Sequence, residues 1–291
     1  MGLKMKKTAL FILILLCILL CSGCKVATMK EKHIIDGTLV TVLGGSFNFV
    51  ELDTGKTKTF SIEEYDKPIG KTEIVADENS IYIFENGKWS KLPLEGYEMR
   101  EKPVRINDSV FFVSCDLNRT GLYIWKYENG KTEKFSDYEV GFWGGLLVFE
   151  DNLIYGTNDN IICCNISSGE KEVLTQGYYF SWKEEGKSIY YRPVGKNGLW
   201  IYDIETGTKE IVDDELHLLG NPVYNADNNV ILITCDDPLN YGSNEYIVGG
   251  LYYPESNDFV YWKSYAKRMN IPFDITKQEW FEASVTHTYW N

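Results

Sequence analysis

FSWKEEGKSIYYRP at residues 180–193, followed by LWIYDIETGTKEIV at 199–212, is the stretch that decides the fold. Apolar residues alternate with others through both pieces, the pattern of β-strands with one buried face. Glu185-Gly186-Lys187 turns the chain into the first strand, and Thr206-Gly207 closes a hairpin where glycine supplies positive φ. TKEIV then follows as a charged strand, as expected of an outermost strand with one face in water.

The same order recurs on both sides of this unit. SVFFVSC, LYIWKYENG and KTEKF form a third unit from Asn107, and LIYGT, IICCNISSG and EKEVL form a fourth from Asp151. TLVTVLGG, SFNFVELDTG and KTKTF form the first from Asp36, and a shortened second reads SIYIFENG then KWSKL. The sixth has VILITC, a long loop from Asp236 to Glu245, YIVGGLYYPESN and DFVYW. The closing glycines Gly55, Gly87, Gly130, Gly169 and Gly207 are spaced by 32, 43, 39 and 38 residues. One such unit cannot bury its own apolar face, and stacking neighbours does. Strand units of about 40 residues arranged radially make a β-propeller.

Together with NPVYNADNNVILIT at 221–234, these stretches resemble the TolB-like and WD-repeat-like propellers of bacterial envelope proteins. The resemblance covers most of residues 33–264. It implies a fold and transfers no catalytic residues, and the Trp-Asp dipeptide of true WD repeats is missing. The expected fold is therefore an all-β propeller of six blades, with seven as the next choice. A two-sheet sandwich has too few places for the roughly 22 to 26 strands that repeats of this size imply. In the tail, Thr276-Lys277-Gln278-Glu279 matches a capping box that starts a short helix. ASVTHTYW at 283–290 reads as a strand that completes the first or last sheet and covers its edge.

The N-terminus carries a second signal. Lys4, Lys6 and Lys7 precede an apolar run from Ala9 to Cys21, and Ser22-Gly23-Cys24 follows. This is the layout of a secretory signal peptide, and the run is shorter than the roughly 20 residues of a spanning helix. The cysteine after small residues resembles the acceptor of a bacterial lipoprotein signal. That resemblance implies cleavage before Cys24 and lipid on its thiol and amine, which gives stable anchoring when two or more chains are attached. The expected organisation is signal and lipidated cysteine over 1–24, a tether over 25–32, and a propeller with a closing segment over 33–291. Richness in Lys, Ile, Asn and Tyr suggests an AT-rich genome and the outer face of a plasma membrane.

Composition narrows the partners. Without the three leader lysines, 26 basic residues face 42 acidic ones. An acidic chain without a basic cluster is not built to neutralise phosphates, so no nucleic acid is expected. GxSxG, HExxH and glycine-rich phosphate loops are absent, and His33, His217 and His287 lack zinc spacing. Neighbouring Cys163 and Cys164 fall on opposite faces of a strand. Asp236, Asp237 and Asn240 offer calcium-type oxygens, but loop acids of this kind are ordinarily solvated, so no metal or cofactor is expected. The rim of the array remains: Trp143, Trp182, Asp236, Asn240 and Tyr241 are the candidate ligand-binding residues. The reading is a binding or scaffolding module held at the membrane by lipid on Cys24, with a protein or glycan ligand. The alternative is an envelope enzyme acting on glycan or peptide through rim carboxylates.

Overall fold

The computed structural model describes residues 25–26, 33–115, 121–136, 145–157, 159–237, 247–271 and 288–291. The leader and Cys24, most of the tether, and the Thr276–Glu279 capping box lie outside the described residues. Lys25–Val26 form β1. The first sheet has β2 (Thr38–Leu43), β3 (Ser46–Glu51) and β4 (Thr57–Ser61). The second has β5 (Ile74–Asp77), β6 (Ser80–Glu85) and β7 (Lys88–Lys91). The third has β8 (Val104–Ile106), β9 (Ser109–Cys115), β10 (Leu122–Glu128) and β11 (Lys131–Lys134). The fourth starts with β12 (Leu146–Phe149), β13 (Asn152–Gly156) and β14 (Asn160–Asn165). It continues through β15 (Lys171–Glu184), β16 (Ser188–Pro193), β17 (Leu199–Asp203) and β18 (Lys209–Asp213). The fifth has β19 (Val223–Asn225), β20 (Val230–Asp236), β21 (Ile247–Tyr253) and β22 (Asp258–Tyr261). Helix α1 (Trp262–Met269) and β23 (Thr288–Trp290) follow.

The sequence pattern explains these sheets. β9 and β20 are buried over their first six residues, whereas β4 and β11 are almost wholly exposed. Asn86-Gly87 and Asn129-Gly130 both take positive φ, the geometry of a two-residue hairpin turn. Cys164 is buried between the third and fourth sheets, whereas Cys163 is half-exposed on the other face of β14.

Apolar clusters join each sheet to the next. Val42 and Phe47 meet Val75 and Trp89, and Ala76 and Ile81 meet Val110 and Phe112. Phe111 and Val113 then meet Leu153 and Tyr155, and Tyr190 and Leu199 meet Ile231 and Tyr252. The ring closes where Leu39, Val50 and Leu52 meet Val230, Leu232 and Leu251. This is a propeller-like arrangement.

The expected blade count needs correction. Among the described residues, hydrogen bonding gives four sheets of four or more strands and one of three, not six separate blades and not seven. The six sequence units are all present as strands, but two of them share one sheet. The 14-residue β15 pairs with β14 through its first half and with β16 through its second, so the fourth and fifth units form a seven-stranded sheet. The shortened second unit supplies only three strands.

Two devices close the ring. β23 pairs antiparallel with β2, Leu39 opposite Trp290, so a terminal strand completes the first sheet. Helix α1 inserts Trp262, Tyr265 and Ala266 into the cluster between the fifth and first sheets. β1 adds to the fifth sheet, parallel to β22, so at Lys25–Val26 the segment read as a tether lies on a sheet edge. Tyr265 is fully buried, and its hydroxyl donates to the Leu52 carbonyl at 3.0 Å and accepts from the Ile35 N–H at 3.2 Å. Tyr265→Phe strands two buried backbone groups and should cost about 2 kcal/mol of stability in urea titration. An unchanged midpoint would mean that water replaces the hydroxyl.

Candidate functional site

The innermost strands β5, β8, β12, β19 and β23 and the end of β15 surround a central cavity of about 1120 Å³. Its lining includes Lys102, Arg105, Trp182, Tyr224, Tyr289 and Trp290. Two of these rings are held by hydrogen bonds. Tyr224 donates to Asn229 at 3.0 Å and packs edge-on to Tyr190, and Trp290 donates its Nε1–H to the Val223 carbonyl at 3.2 Å. The Lys102 ammonium lies 4.8 Å from the centre of the Tyr289 ring, within cation–π range.

At the starts of the inner strands the character changes from aromatic to titratable. Asn221, just before β19, donates to Glu101 Oε2 at 2.8 Å, and among the described residues its buried Oδ1 has no hydrogen-bond partner. Burial pushes the Glu101 carboxyl up to about 8, against the opposing pull of the Asn221 hydrogen bond and the Lys102 charge. Burial likewise lowers Lys102 to about 8, against the pull of the Glu101 charge.

β15 is irregular beside this pair. Its register with β16 shifts between Tyr178 and Ser181, and Tyr179 takes φ of 47° although it is a bulky, buried residue. Positive φ at such a residue is strained, and bulges re-aim side chains near sites. Burial raises the Tyr179 phenol to about 12, with the charges of Arg192, Glu101 and Asp236 also acting on it.

Arg192 at the end of β16 donates Nη1–H to the Leu218 carbonyl at 2.8 Å and meets His217 Nε2 through Nη2 at 2.6 Å. The His217 Nδ1 is hydrogen-bonded to Asp236 Oδ2. A guanidinium only donates, so these partners assign the neutral imidazole with Nδ1–H given to Asp236 and Nε2 accepting from Arg192. The nitrogen that would serve as a base is thus covered by an arginine, not aimed at a hydroxyl or thiol. The chain works as a clip: it pins the segment before β19 to β20, where Asp236 also donates its N–H to the His217 carbonyl at 3.0 Å.

Of the residues singled out from sequence, Trp182 reaches the central cavity and Asp236 sits on His217. No contact brings these two together. Trp143, Asn240 and Tyr241 lie outside the described residues. Asp237 accepts from the Tyr261 hydroxyl at 2.5 Å. Among the described residues, no three His, Cys, Asp or Glu side chains are grouped to hold a metal ion. Sequence reasoning missed Glu101, Lys102, Arg192 and His217. Arg192 had a signal, as the one charge within the strand SIYYRP.

TolB from Acinetobacter baumannii superimposes with a TM-score of 0.54 at 15% identity, over 78% of this chain and 63% of that one. A TolB-type protein of Agrobacterium tumefaciens gives 0.50 at 11% identity, over 78% of this chain and 88% of that one. The fold is a TolB-like β-propeller. At these identities the likeness concerns the fold alone, and the chain spans less than two thirds of the length of the first of these relatives. No family model matches the chain, and no curated protein does. Among the described residues, no helix is long and apolar enough to cross a membrane.

Proposed function

We propose that this protein is a lipid-anchored, extracytoplasmic binding module. It is tethered through Cys24 to the outer face of a membrane, and its propeller presents the central cavity to a protein or glycan. The observation that carries the reading is the cavity itself, of about 1120 Å³, ringed by strands from every sheet and lined by aromatic rings, two of them held by hydrogen bonds. A largely pre-formed concave site with a few placed polar groups is what ligand binding requires. The likeness to TolB propellers supports a propeller module. The leader sequence supports the anchor.

The enzyme alternative has one observation in its favour, the raised carboxyl of Glu101. Acid–base cleavage of a glycan needs two carboxyls flanking the bond. Glu101 is bonded to an amide, and Asp236 is occupied by His217.

The test is capture from intact cells after in-situ crosslinking, with Cys24→Ala as the unanchored control. A protein partner that disappears in the control is the expected result for a tethered scaffold. Retention on purified cell-wall glycan without a protein partner would select the glycan branch. Hydrolysis of that glycan or of peptides by the purified protein would replace the binding reading with the enzyme.

A further inference from the structure

We infer that the central cavity takes the free carboxylate of a short peptide chain end, with Lys102 as its counter-ion. This deepens the binding reading above and rests on it. Lys102 is the starting point. Its ammonium lines the cavity, yet among the described residues it makes no hydrogen bond and no ion pair. It rests instead on the face of Tyr289. Lys102 is half-buried, and a partly desolvated cation gains from an anionic partner. The adjacent Glu101 accepts from the Asn221 amide at 2.8 Å and makes no ion pair with Lys102, and burial raises its carboxyl. An incoming carboxylate would supply the anion.

Charge placement narrows the ligand. Glu73, Glu185 and Asp227 also line the cavity, and all three are exposed. They come from the residue just before β5, the β15–β16 turn and the β19–β20 turn. Arg105 lines it too, but is ion-paired with Glu85 at 2.6 Å. The site therefore has an unpaired cation within and, at its exposed margin, three acids against one lysine, Lys71. A polyanionic glycan is repelled by that margin, and a neutral glycan leaves Lys102 unpaired. A peptide with a terminal carboxylate and a positive charge farther along satisfies both. Trp182 and Trp290 supply apolar walls for the residues between.

The experiment uses a randomised tetrapeptide library made twice, as free acids and as C-terminal amides, and passed over the immobilised full chain. Free acids should be retained about tenfold or more better than amides, the loss expected for one charge-assisted hydrogen bond. Lys102→Met should abolish the discrimination and Lys102→Arg should keep it. In the unaltered protein the discrimination should hold at pH 6.5 and fade above about 8, where Lys102 loses its proton. That profile serves if Lys102→Met does not fold. Equal retention of acids and amides, retention of neither, or discrimination surviving Lys102→Met would overturn the inference. A cell-derived partner captured equally by Lys102→Met would leave the binding module standing and remove this site from it.

Discussion

Gly55→Ala should lose about 4 kcal/mol of stability, from left-handed strain and overpacking together. Gly130→Ala, at the same place in its own unit, should lose only about 1 to 2 kcal/mol. Both glycines close a hairpin with positive φ, 69° and 74°. They differ in what lies above them. A Cβ on Gly130 meets nothing within 4 Å, whereas a Cβ on Gly55 would lie 1.8 Å from the Met269 carbonyl oxygen and 2.9 Å from its carbon. That backbone is the last residue of α1, which ends there because Asn270 takes the left-handed cap conformation. A hairpin has no flexible side chain to move aside, so the helix must lift. Lifting it uncovers Trp262, Tyr265 and Ala266, which fill the seam between the fifth and first sheets. The repeat thus provides its own control, because the glycine recurs in five of the six units while the helix packs on one of them. Urea unfolding of the two variants checks this. Equal losses would mean that the helix is not seated on Gly55 in solution.

That helix also marks the limit of what the repeat makes legible. Alternation and turn glycines identify the strands, because a strand's face and a hairpin's positive φ are local demands. The closing strand is local too: Thr288–Trp290 pairs with β2, inside the stretch 283–290 that reads as a strand. The helix was also present in the sequence, with Trp262, Tyr265, Ala266 and Met269 at helical spacing. A sixth unit read as ending with DFVYW, at Trp262, cuts through it. The sheet count is not local. Whether the fourth and fifth units separate depends on whether the backbone breaks between β14 and β16, and Tyr178–Ser181 is a bulge in a continuous strand. The site is less legible still. Trp182 stands out as an aromatic at the start of a unit, but Glu101, Lys102 and Asn221 owe their character to meeting around the channel, 120 residues apart in the case of Glu101 and Asn221.

Glu101→Gln should stabilise the protein increasingly as pH rises from about 4.5 to about 8. The folded carboxyl is raised from 4.5 to about 8 by burial. Between those values the unfolded chain has released its proton and the folded chain still holds one, so stability falls as pH rises through the window. Glutamine keeps an acceptor for the Asn221 amide and has no proton to lose. The two proteins should therefore match below pH 4.5 and separate by an amount on the order of a few kcal/mol at pH 8. Lys102 acts with the opposite slope at higher pH. Its folded value is lowered from 10.5 to about 8, so between these values the unfolded chain binds the extra proton and stability rises with pH. Since the Glu101 charge supports the Lys102 charge, its removal should start that rising limb at lower pH. Urea midpoints taken from pH 5 to pH 10 resolve both limbs. Parallel profiles for the two proteins would show that water enters the channel freely enough to leave Glu101 ionised. Lys102 would then have an internal counter-ion, and the case for a carboxylate ligand would lose its physical basis.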